Sequence, residues 1–64
     1  MERLRQYMKT ADVTQAELAR RLGVRQPTVW EWLNGESKPT AKNLLRLSEE
    51  TGLSIDELLS EAAA

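Results

Sequence analysis

Apolar side chains recur along this chain at three- and four-residue intervals and nowhere alternate with polar ones over a strand's length. That pattern predicts helices throughout. Leu4, Tyr7, Met8 and Ala11 form the inner stripe of a first helix, with Arg5, Gln6 and Lys9 outside. Thr14-Gln15-Ala16-Glu17 has the form of a capping box. In such a box the threonine hydroxyl accepts from the Glu17 amide, and the Glu17 carboxylate reaches back to the Thr14 amide. A second helix starts there, stapled by Val13 and Leu18, with Leu18, Ala19 and Leu22 buried and Gly23 taking the left-handed conformation that stops it. Pro27 is tolerated in the first turn of a third helix, because a first-turn amide has no acceptor within the helix. The inner face of that helix is Val29, Trp32 and Leu33, and Asn34-Gly35 ends it. After a short loop through Pro39, Thr40 caps a fourth helix from Ala41 to Thr51, with Leu44, Leu45 and Leu47 as its apolar set and Gly52 at its close. Ser54-Ile55-Asp56-Glu57 is a second capping box, stapled by Leu53 and Leu58. It opens a final helix bearing Ile55, Leu58 and Leu59, and the Ala62-Ala63-Ala64 end is expected to fray.

These local signals agree on one arrangement: an all-α, compact five-helix bundle, with residues 1–64 as a single domain and no linker or internal repeat. Composition narrows the chemistry. A chain of 64 residues hides only about 60% of the surface that its unfolded form exposes, which disfavours a deep substrate cavity. With no Cys and no His there is no disulfide framework or thiolate metal cluster, and the usual zinc ligands and proton-transfer groups are missing. No cofactor, metal site or catalytic residue is expected. The acidic pairs Glu49-Glu50 and Asp56-Glu57 read as solvated or capping residues, since no site surrounds them. No apolar run approaches the roughly 20 residues that span a bilayer. The amino terminus carries Glu2, Arg3 and Arg5 with no apolar stretch after them, so the expectation is a cytoplasmic protein that is neither membrane-spanning nor exported.

The formal net charge is -1, but its layout is uneven: +1 over residues 1–14, +2 over 15–42 and -4 over 43–64. A basic middle opposite an acidic tail can still seat on phosphates. The informative stretch lies in that middle. Residues 15–34, QAELARRLGVRQPTVWEWLN, hold two short helices joined around a glycine, which is helix-turn-helix spacing. Ala19 is small where the helices approach, Gly23 supplies positive φ, and Val24, Val29 and Trp32 fill the angle between them.

On these residues the chain resembles the phage repressor and Cro family of helix-turn-helix proteins, whose members show a similar run of QAELA, a glycine, QPTV and NG. The resemblance covers nearly the whole chain. It implies a lambda-repressor-like domain that binds double-stranded DNA, as or derived from a transcriptional repressor, with its third helix in the major groove. By position, Gln26 and Pro27 would face base edges, with Trp30 and Glu31 one turn later. Gln15 would contact phosphate and brace Gln26, and Asn34, Lys38 and Lys42 would flank the groove as phosphate contacts. The family commonly has a small capping hydroxyl at the position of Arg25, a small polar residue at Trp30 and a basic or amide residue at Glu31. Regular caps and glycines are also what a designed or consensus sequence on this scaffold would show.

Physical chemistry supports part of this independently. A glutamine amide matches adenine N6 and N7 bidentately, and helix amino termini favour phosphate oxygens. Two readings stay open for Arg25, a phosphate or guanine contact or a surface arginine. Trp30 is either a groove residue or partly buried against its neighbours, while Trp32 is core. A protein-interaction module on the same fold is the alternative function, favoured by the net charge, by Glu31 and by an exposed Trp30. The acidic tail opposes close self-association, so a monomer or weak homodimer is expected.

Overall fold

The computed structural model describes residues 1–63. Five helices follow in order: α1 (Glu2–Ala11), α2 (Gln15–Leu22), α3 (Gln26–Leu33), α4 (Ala41–Thr51) and α5 (Ile55–Ala63). There is no strand among the described residues. Helix α2 packs on α3 and α4, while α5 lies against α1 and α4. Leu4, Leu18, Leu22, Val29, Leu47 and Leu58 are fully enclosed at the centre, with Trp32 beside them. No polar or charged residue is buried among the described residues, so burial carries no uncompensated desolvation. Helix α5 extends through Ala62 and Ala63, and Ala64 lies outside the described residues.

The caps form by their expected hydroxyl halves only. Thr14 Oγ1 accepts from the Glu17 amide at 3.1 Å, Thr40 Oγ1 from the Asn43 amide at 3.2 Å and Ser54 Oγ from the Glu57 amide at 3.1 Å. The reciprocal halves of both capping boxes are replaced. Glu17 turns its carboxylate to Arg20 and Arg21, and Glu57 pairs with Arg3 at 3.2 Å. A guanidinium bears full charge and several donors, so it outcompetes a single exposed amide for a carboxylate.

Helices α1, α2 and α3 stop in the same way, by a bond that spans five residues. Val13 donates to Met8 O at 2.8 Å, Val24 to Ala19 O at 3.0 Å and Glu36 to Glu31 O at 2.8 Å. The residue before each donor has positive φ: Asp12 at 56°, Gly23 at 72° and Gly35 at 73°. Asp12 thus fills a role expected only of glycine, which a short polar side chain tolerates. Val13 and Val24 are then tucked against the core.

At Gly23 an added Cβ would lie 3.5 Å from Arg46 Nη1, an ordinary contact, so backbone strain rather than collision limits this position. Gly23→Val is expected to cost about 1–2 kcal/mol. In a domain of this size each 1 kcal/mol lowers the melting temperature by about 4–8 °C. An unchanged melting temperature would show that the turn does not need positive φ.

Four apolar positions assigned to inner faces are exposed: Ala11, Leu45, Ile55 and Leu59. In α4 the pair Leu44 and Leu47 faces inward, which turns Leu45 about 100° away. Helix α5 packs chiefly on α1 and α4, and of Ile55, Leu58 and Leu59 only Leu58 reaches the centre.

Candidate nucleic-acid interface

The close α2–α3 packing sets the amino termini of both helices on one side of the molecule. There Gln15, Gln26, Pro27 and Trp30 line one open depression of about 310 Å³. Trp30 is 47% exposed, whereas Trp32, two residues on, is 3% exposed. Their opposite fates follow from helical spacing, since Val29, Trp32 and Leu33 face the core and Trp30 falls outside that arc. The side chains of Gln15 and Gln26 have no hydrogen-bond partner among the described residues, and the two amides are not bonded to each other. The expected brace is therefore absent here, and both amides keep their full donor and acceptor capacity.

The backbone adds donors to this surface. Thr14 satisfies the Glu17 amide, which leaves the amides of Gln15 and Ala16 without a partner among the described residues. At α3 the N-cap is Arg25, exposed, in extended conformation and making no side-chain cap. Its guanidinium is consequently not tied to its own helix. Such unsatisfied first-turn amides favour anions.

The remaining predicted positions lie apart from the depression. Glu31 is half-buried, and its carboxylate has no ion-pair partner among the described residues. Asn34 uses its amide within α3, donating from Nδ2 to Trp30 O at 2.8 Å, so it acts as a C-terminal cap in the free protein. Lys38 is exposed beside a separate hollow that includes Trp32, Pro39 and Glu61, and Lys42 is exposed in the first turn of α4.

Glu17 organises the charge on α2. Hydrogen bonds from Arg20 first, then Arg21, hold its carboxyl below the usual carboxylate range, and Glu17 in turn raises the Arg20 guanidinium. One carboxylate thus offsets part of the charge of two arginines. All three are solvent-accessible, so the pairing adds little stability.

Sequence reasoning missed Arg5 and Arg46, whose guanidiniums reach the last carbonyls of α3 and α2. No local signal marks them, because each sits beside apolar neighbours like any surface arginine of an amphipathic helix.

The sequence profile of the family described as helix-turn-helix matches residues 4–58. The chain belongs to the phage repressor and Cro type of helix-turn-helix family. This helix-turn-helix chain is 35% identical over 57 residues to the cryptic phage CTXphi transcriptional repressor RstR of Vibrio cholerae, covering 89% of this chain and 51% of that one. It is 42% identical over 48 residues to the HTH-type transcriptional regulator DicA of Escherichia coli, covering 75% and 36%. An uncharacterized HTH-type transcriptional regulator of Haemophilus influenzae is 42% identical over 43 residues, covering 67% and 18%. The chain thus spans about half the length of RstR and less of the other two. No solved structure matches it significantly. Among the described residues, no helix is long and apolar enough to cross a membrane.

Proposed function

We propose that this helix-turn-helix chain is a non-enzymatic, sequence-specific binder of double-stranded DNA that works in transcriptional repression, in the cytoplasm, by occupying an operator. Helix α3 lies in the major groove, with Gln26 and Pro27 at base edges and Trp30 one turn later against a thymine methyl or sugar edge. Gln15 and the free first-turn amides of α2 take a phosphate. Arg25, Lys38 and Lys42 supply further phosphate contacts, and Asn34 joins them once its bond to Trp30 O is exchanged. All of residues 1–64 serve as one binding domain, a monomer or weak homodimer that needs no cofactor.

One observation carries this reading: two glutamine amides without a partner among the described residues and an exposed indole gather in one open depression at the amino-terminal ends of α2 and α3. Its four lining residues include no charge. The depression therefore suits base edges, while the exposed cations Arg25, Lys38 and Lys42, outside it, suit the phosphates.

The experiment is a salt titration of binding to a duplex selected from a randomised library. Replacing counterions at Z phosphates makes log affinity fall with log salt at a slope of about -0.9Z. The three cations named, Arg25, Lys38 and Lys42, predict a slope of about -3. Binding that ignores salt would overturn the reading. It would favour the second one, a protein-interaction module, which rests on exposed Trp30 next to half-buried Glu31 and on the net charge of -1.

A further inference from the structure

Helix carbonyls in a last turn need partners from outside the helix. In α3 three of the last four are satisfied locally. Trp30 O accepts from the Asn34 backbone amide at 3.0 Å, Glu31 O from the Glu36 amide at 2.8 Å and Trp32 O from the Gly35 amide at 3.4 Å. The fourth, Leu33 O, accepts instead from Arg5 Nη2 of α1 at 2.6 Å, in a partly buried bond spanning 28 residues of sequence. Helix α2 ends in the same manner. Its final carbonyl, Leu22 O, accepts from Arg46 Nη1 of α4 at 2.9 Å, again partly buried and 24 residues distant. Each helix of the motif is thus tied at its carboxyl end to a helix outside the motif. In both cases a fixed cation meets the negative end of a helix dipole.

We propose that Arg5 and Arg46 are positioning residues for DNA reading, fixing the tilt of α3 and α2 so that the depression around Gln26 meets base edges in register. The proposal rests on the DNA-binding function argued above. The leverage is simple. Helix α3 has eight residues and is about 12 Å long, so a tilt of about 5° about Leu33 moves Gln26 by about 1 Å. Hydrogen bonds to base edges do not survive that error. Long, mobile side chains on phosphates absorb it. Neither arginine lines the Gln15–Trp30 depression, so any effect on reading passes through the helices they hold.

The test compares Arg5→Ala, Arg5→Lys, Arg46→Ala and Arg46→Lys on the selected duplex and on random duplex, over a salt series, at temperatures where circular dichroism shows each variant folded. Each alanine variant is expected to weaken selected-site binding about tenfold, the scale of one mismatched base pair. Random-duplex affinity should stay within about twofold and keep its salt slope, since the phosphate contacts are intact. Each lysine variant should regain part of the loss, because an ammonium still donates to the same carbonyl. If an alanine variant does not fold, the lysine variant carries the comparison, with a smaller loss confined to the selected site. A lower melting temperature with an unchanged specificity ratio would reduce the arginines to stabilising caps and overturn the proposal. Equal losses on both duplexes, with a salt slope smaller by about one, would overturn it in favour of direct phosphate contact. A parent chain that binds both duplexes equally would fail the DNA reading itself, and the proposal with it, before any variant is compared.

Discussion

Trp32→Ala is expected to remove a large part of this chain's stability, whereas Trp30→Ala should leave it nearly unchanged. Trp32 is 3% exposed and belongs to the buried core cluster that includes Leu4, Val29 and Leu33. Truncating a buried Trp to Ala costs about 3–5 kcal/mol, through lost transfer energy and the cavity left behind. A chain of 64 residues has a total stability of about 3–10 kcal/mol, so the loss runs from about a third of the total to all of it. Trp30 is 47% exposed, and its removal should change stability by less than about 1 kcal/mol. Urea unfolding followed by far-ultraviolet circular dichroism separates the two. A Trp32→Ala variant with a near-parental midpoint would mean that the indole is not part of the core.

Gln26→Ala should cost about 1–3 kcal/mol at the selected site and relax preference at one A·T pair, because the lost contact is a bidentate amide on adenine N6 and N7. The effect should be confined to binding. Gln26 is exposed and its side chain has no hydrogen-bond partner among the described residues, so the melting temperature should barely move. Gln15→Ala removes a phosphate contact instead and should weaken all sequences more evenly. Competition binding against a panel with every base substituted at each position gives the answer directly. If Gln26→Ala binds every member as the parent does, α3 does not read bases through this residue.

Features that depend on neighbours within one turn are legible in the amino-acid sequence. Thr14, Thr40 and Ser54 cap the helices that their spacing predicts, and Gly23 and Gly52 stop theirs with positive φ. The split between Trp30 and Trp32 is legible too, since helical spacing alone places them on different faces. Asp12 carries a weaker signal as a helix stop, because a non-glycine residue visits that conformation less readily than glycine.

By itself, then, the sequence determined five helices, most of their ends and the helix-turn-helix at residues 15–34, all through spacing, capping hydroxyls and turn residues acting over a few positions. Tertiary structure decided what lies between distant segments. It left Leu45, Ile55 and Leu59 outside while enclosing Leu58, and drew the Glu57 and Glu61 carboxylates to Arg3 across nearly the full length of the chain. It also brought Arg5 and Arg46 to carbonyls 28 and 24 residues away, and set Gln15 and Gln26 around one depression. A helical pattern specifies which side of each helix is apolar. Which part of that side is covered, and which charged group a guanidinium meets, depends on how the helices cross, and that follows from packing the whole core at once.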